Sequence, residues 1–353
     1  MSSPLYPITS SYDGQRVTVD DYLKDPLRIP ALVLDIMSNE FIIESVLRNA
    51  GNNQSGAVRY ERSTPLFANK SATIRAEFAE VPAVTGSVGE LLVAYSYERA
   101  LAISVSDEMR RRQMLDPVTR QLIQVKNTMI KDWNLAFFSL LQSLIPSTQT
   151  YAVGPHAAWD SADSILGQGM GSTSATGLPF LIRDQISDAI YLVNNAFDAD
   201  QSSSTSAKNY FGFEADTLII DHAAKLALFK SQDFARPYIG DAATSSIQYT
   251  GLMPRQIMGL DVLVSHQCPP GTAFVCQRNR LGFYSDEVPL TATPLYREEP
   301  KKMWRSDVQR ASAIGLDQPQ AVVMITGITS TSDDWPAPVP GAGPTWSWSS
   351  WGP

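Results

Sequence analysis

The sequence predicts an α+β fold. Three features carry that reading: a polar β-hairpin between residues 57 and 81, one amphipathic helix of about eight turns, and a later run in which helices and strands alternate. A chain of 353 residues with 44% hydrophobic residues can bury one large core or two smaller ones.

Residues 1–55 read as an arm. Its first part is irregular and rich in Pro, Ser and Asp, and Asn39–Arg48 reads as a short helix capped by Ser38 and stopped near Gly51. Phe41, Ile42, Val46 and Leu47 need a partner surface. The hairpin arms are Ala57–Arg62 and Ala72–Val81. In the second arm Ile74, Ala76 and Phe78 alternate with Thr73, Arg75, Glu77 and Glu80, the period of a half-exposed strand. The nine-residue connection Ser63–Ser71 is too long for a tight turn. A two-stranded ribbon this polar is marginal by itself, so it calls for a surface supplied by another subunit.

Ser104 or Ser106 can cap the helical region that follows, with Asp107 and Glu108 in its first turn. Asp116-Pro117 offers a second start. From there Val118, Leu122, Val125, Met129, Trp133, Ala136, Leu140 and Leu144 form one apolar stripe that ends at Pro146, on a rod of roughly 40 Å. Pro146–Gly177 reads as a Ser/Gly/Thr/Ala-rich loop. Its Gly167-Gln-Gly-Met-Gly171 lacks the spacing and the preceding strand of a dinucleotide loop. Pro179–Phe197 reads as a helix, Asp216–Asp221 as a strand, Ala223–Lys230 as a helix, and Asp261–Ser265 and Ala273–Gln277 as strands, which together make a compact α/β unit.

The ribbon feeding a long helix resembles the E-loop and spine helix of the Hong Kong 97-type major capsid proteins of tailed bacteriophages. The resemblance continues at Ala76–Pro82, an acidic hairpin arm ending near a proline, and at Tyr97–Glu108, a strand ending in a serine-acidic helix start. Met258–Ser265, Pro269–Val275, Arg310–Gly315 and Gln320–Thr326 look like that family's closing strands. It covers roughly residues 30 to 328, and the order and spacing of the pieces carry it rather than any strict motif. It implies an N-terminal arm (1–55), an E-loop hairpin (56–90), a first part of a P-domain with the spine helix and the Gly/Ser-rich loop (91–178), an A-domain (179–277), returning P-domain strands (278–330), and a Pro/Trp-rich tail (331–353).

The resemblance also implies a function that is structural rather than enzymatic. Copies would tile into pentamers and hexamers as the icosahedral head of a tailed phage, enclosing double-stranded DNA in the virion after assembly in the host cytoplasm. Partners would be further copies, a separate scaffolding protein, a portal and optionally a decoration protein, with non-specific contact to packaged DNA and no membrane. A fused scaffold is disfavoured because the N-terminus shows no long coiled-coil segment. The expected contact residues in the hairpin are Arg59, Glu61, Arg62, Lys70, Arg75, Glu77 and Glu80. Some relatives cross-link an E-loop lysine to an asparagine of another subunit. Lys70 is the hairpin's only lysine, but no asparagine or glutamate partner can be named.

The tail carries Trp335, Trp346, Trp348 and Trp351, four of the chain's seven tryptophans, among five prolines and three glycines. It cannot fold by itself, and its tryptophans are expected to anchor on a neighbouring subunit or an accessory protein.

A net charge of −8 and a pI near 5.0 argue against a dedicated nucleic-acid binder and suit a wall that must not cling to a genome. Neither a signal peptide nor a membrane-spanning run is visible. Cys268 and Cys276 read as reduced thiols. Asp221-His222 and His266-Gln-Cys268 lack zinc spacing, and no catalytic motif, metal site or cofactor site is assigned. Arg110-Arg-Arg112 reads either as a contact with DNA or a neighbour's acidic surface, or as a solvated helix face. Two other readings stay open: an encapsulin-type bacterial nanocompartment shell, and a soluble α/β enzyme using Asp221, His222 and His266.

Overall fold

The computed structural model describes residues 41–64, 74, 81, 89–108, 117–153, 158–160, 182–197, 209–230 and 256–329. The chain divides into two compact units. The first comprises Met1–Phe137, Ala196–Gly212 and Gln277–Ala321; the second comprises Phe138–Asn195, Phe213–Cys276 and Val322–Pro353.

The first unit opens with a short helix, α1 (Ile42–Val46), and a strand, β1 (Arg48–Asn52). The helix is shorter than the sequence suggests. Arg48 onward leaves it because β9 (Phe283–Ala292) recruits that backbone into a parallel ladder, Arg48 opposite Phe283. Phe41, Ile43, Val46 and Leu47 are all buried, so this part of the arm packs on its own unit. The sheet runs β1, β9, β11 (Met303–Gly315), β3 (Leu91–Ser106), β2 (Ala57–Glu61), with β10 (Tyr296–Glu298) also on β11. β3 and β11 pair antiparallel from Ser106↔Met303 to Ser96↔Ala313. Pro289 stands inside β9, where it cannot donate to a ladder. The register of β9 against β11 slips by one residue there, between Val288↔Ala311 and Thr291↔Gln309.

The long helix α2 spans Pro117–Leu144 and begins at the proline the sequence indicates. Within the first unit it buries Leu122, Val125, Met129, Trp133 and Phe137. Gln121 Oε1 accepts from the backbone N–H of Ser104 on β3 at 3.1 Å, and Asn134 Oδ1 accepts from that of Ile42 at 3.3 Å. The expected stripe holds as far as Trp133 and then departs: Phe137, Phe138 and Leu141 are fully buried, while Ala136, Leu140 and Leu144 are only partly covered. The buried side shifts round the helix past Trp133, towards Phe137, Phe138 and Leu141, so what packs on that end rather than a single strict period sets it.

Among its described residues the second unit has a six-stranded mixed sheet in the order β4 (Thr150–Ala152), β12 (Val322–Thr326), β8 (Thr272–Cys276), β5 (Thr217–Ile220), β7 (Leu260–Val264), β6 (Gln256–Ile257). β5 lies parallel to β7 and is buried along its whole length, as its uninterrupted Thr-Leu-Ile-Ile demands. Helix α3 (Ile182–Asn194) lies against β12 and β8 and buries Ile182, Gln185, Ile186, Ala189 and Val193. Helix α4 (His222–Lys230) follows β5. Phe138 meets Phe274 of β8 at 5.7 Å between ring centres. The stretch read as a loop from Pro146 contains β4, which pairs parallel with β12, and the fully buried Trp159. The Trp159 backbone N–H donates to Ile328 O at 2.8 Å and its Nε1 donates to Gln185 Oε1 at 2.7 Å. A composition rich in Ser and Thr hid a strand whose register is set by β12.

Candidate assembly interface

β2 and the first half of β3 place the predicted hairpin contacts. Ala57–Glu61 pairs antiparallel with Leu91–Tyr95, Ala57 opposite Tyr95 and Glu61 opposite Leu91. The expected partner arm over 72–81 lies, apart from Ile74 and Val81, outside the described residues. On one face Val58 and Tyr60 pack with Ala94, Phe283 and Ala313, and the Tyr60 ring meets Phe283 edge-on at 5.3 Å. Burial there raises the pKa of Tyr60.

The opposite face is open. Leu91, Val93, Tyr95 and Tyr97 follow one another at period two with 72%, 42%, 58% and 46% of their surfaces exposed. Further along the same face of β3, Ile103 and Val105 are core. Arg59 and Glu61 share the open face, both exposed, across from Val93 and Leu91. Arg62 follows β2 and pairs with Glu90 at 3.2 Å. Glu61 accepts from the backbone N–H of Gly89 at 2.5 Å. The structure therefore gathers Arg59, Glu61 and Arg62 at one sheet edge. Lys70, Arg75, Glu77 and Glu80 lie outside the described residues, as do Arg110–Arg112 and the tail's Trp335, Trp346, Trp348 and Trp351.

Sequence reasoning missed the polar centre of the first unit. Arg310 on β11 is 6% exposed in its side chain and pairs with Glu44 of α1 at 2.7 Å and with Asp286 of β9 at 3.2 Å. Its Nε also donates to Ser312 Oγ at 3.2 Å, and Ser312 donates in turn to Asp286. The guanidinium lies over Phe41 at 4.8 Å, Trp133 at 5.7 Å and Tyr284 at 5.8 Å. The cavity beside it measures about 10 Å³, at most the space of one water. The available signal was an arginine on the inward side of an alternating strand, Val308-Gln-Arg310-Ala-Ser312.

The rings of His222 and His266 stack at 3.7 Å between centres, 15° from parallel. Burial, and then the neighbouring His266, lower the pKa of His222. Among the described residues no group of three His, Cys, Asp or Glu side chains could hold a metal ion. Cys268 and Cys276 are both buried with no disulfide between them, and burial pushes the Cys268 thiol up. Among the described residues no helix is long and apolar enough to cross a membrane.

A family model described as "Phage capsid protein" matches residues 93–325, which run from β3 to β12 through both sheets and α2. The chain belongs to the phage capsid protein family. No curated protein matches the sequence. Among solved structures, one from Mycobacterium phage Bobi superposes with a TM-score of 0.52 at 11% identity, covering 81% of this chain and 90% of that one. The asymmetric unit of the bacteriophage PhiM1 mature capsid gives 0.51 at 12% identity, covering 81% and 86%. A structure from Microbacterium phage Oxtober96 gives 0.50 at 15% identity, covering 81% and 90%. This capsid protein has the Hong Kong 97-type fold and is a structural component of a phage head shell.

Proposed function

We infer that this capsid protein assembles with copies of itself, as pentamers and hexamers, into the icosahedral head of a tailed phage that encloses double-stranded DNA. One observation carries the reading: the family match over residues 93–325 takes in the second sheet, most of the first from β3 onward, and the 28-residue helix. The role is mechanical, without catalysis. The working surfaces are the E-loop residues Arg59, Glu61, Arg62, Lys70, Arg75, Glu77 and Glu80, laid on an adjacent subunit, with the tail tryptophans as a further clasp. The exposed pair Arg59 and Glu61 supports this, because charges of both signs rimming an apolar strand face can fix the register of a complementary protein surface. Other partners are a separate scaffolding protein, a portal and optionally a decoration protein, with assembly in the bacterial cytoplasm. The net charge of −8 keeps contact with packaged DNA weak and non-specific.

Electron microscopy of the purified protein tests the reading. Closed shells are expected, and a monodisperse monomer at every concentration, with or without scaffolding protein, would overturn it. Deleting residues 62–72 is expected to leave a folded subunit, by circular dichroism and thermal melting, that no longer forms shells. Normal shells from the deletion would show that this segment is not an inter-subunit clasp.

A further inference from the structure

The open face of β3 is an unusual surface for a folded unit. Leu91, Val93, Tyr95 and Tyr97 form an uncharged apolar row with a repeat of about 6.6 Å between successive side chains. Exposed apolar patches rimmed by polar residues mark interaction surfaces, and here Arg59 and Glu61 supply the rim. The row is open in a single chain.

We propose that the Pro/Trp-rich tail of a neighbouring copy, residues 331–353, lies in extended form along this row, with Trp346 and Trp348 seated against Tyr95 and Tyr97. The proposal rests on the reading that the protein assembles from copies of itself. Four observations select this occupant. Trp346-Ser-Trp348 places two rings two residues apart, so an extended backbone presents both on one side at about the same 6.6 Å repeat. Outside the described residues no other aromatic pair has that spacing. The tail's only charged side chains are Asp333 and Asp334, so residues 335–353 suit an uncharged row, whereas the arm before residue 41 carries nine charged side chains between Asp13 and Glu40. Pro336, Pro338, Pro340 and Pro344, just ahead of the tryptophan pair, disfavour a helix there. At about 3.1 Å per residue the stretch after Thr329 can reach on the order of 70 Å, enough to cross to an adjacent subunit.

The test uses two full-length variants, Tyr97→Cys and Trp348→Cys, co-expressed and co-assembled, then mildly oxidised. The natural thiols Cys268 and Cys276 are buried, which keeps the background low. A disulfide-linked dimer is expected in mixed shells and in neither single-variant shell. No cross-link in mixed shells overturns the proposal. So does a cross-link that forms only within one chain carrying both substitutions. A second measurement avoids engineered thiols: hydrogen exchange of residues 91–97 in shells of the natural sequence and of a chain ending at Thr329. Exchange at least about tenfold faster in the truncated shells is expected, the loss that uncovering a docked apolar side chain produces. Equal protection in both would assign the row to another occupant. Failure of the unaltered protein to form shells would instead overturn the assembly reading.

Discussion

Arg310 gives the sharpest test of how the first unit is held together. Replacing it with methionine keeps much of the stem's volume but removes a guanidinium that is 6% exposed. Asp286, 17% exposed in its side chain, then loses two hydrogen bonds from Nη2 and one from Nε. Breaking a buried ion pair by removing one partner costs about 3–5 kcal/mol, because the other charge stays desolvated and uncompensated. Glu44 adds less. It is 31% exposed, so solvent can replace much of its partner, and Glu44→Gln alone should cost about 1 kcal/mol or less. Arg310→Met is therefore expected to destabilise the isolated subunit by about 3–5 kcal/mol. Removing the stranded charge as well, in Arg310→Met with Asp286→Asn, should recover a substantial part of that loss. Denaturant titration of assembly-blocked subunits reads both quantities, provided the slope with denaturant is unchanged. A cost below about 1 kcal/mol for Arg310→Met would refute the reasoning. So would a double variant no more stable than the single one, which would mean that Asp286 is solvated by another route.

Phe138→Ala, which empties a fully buried site against Phe274, should cost about 3–5 kcal/mol. Leu140→Ala, at a half-buried site, should cost clearly less in the same titration, and equal costs would place the buried side of α2 wrongly. Burial raises the pKa of Asp317, although Arg48, 2.6 Å away, opposes the shift. A carboxyl whose folded value lies above its unfolded value favours the fold below the unfolded value, near pH ~4, and loses that contribution as pH rises through the folded value. Stability of the natural sequence relative to Asp317→Asn should therefore fall across that window, and a difference that does not vary with pH would refute the burial argument. Gly282→Ala should destabilise the first unit, because a Cβ there collides with the carbonyl oxygen of Gly315 and backbone must move. A thermal melt within 1 °C of the natural sequence would show that the strand end yields easily.

What the sequence determined alone was local in origin. The start of α2 at Pro117 and its buried residues Leu122, Val125, Met129 and Trp133 follow from capping and a 3.6-residue period within one segment. Strands β5, β7 and β8 were legible because each is a short β-branched or apolar run between breakers. The family was legible from the order of such pieces. Tertiary structure decided everything that depends on partners far along the chain. The pairing of Arg310 with Glu44 joins residues 266 apart, and nothing in either neighbourhood announces it. β1 exists because β9 offers it an edge, so Arg48–Asn52, where the sequence marks only the end of a helix, became a strand. Trp159 and β4 are buried because β12 and Ile328 return to meet them. The open row on β3 shows the same limit: Leu91, Val93, Tyr95 and Tyr97 alternate as core residues do, and a period of two does not say which face of a strand is covered. Only the paired sheet, with Tyr60 and Ala94 packed on Phe283, fixes the covered side and leaves the other exposed.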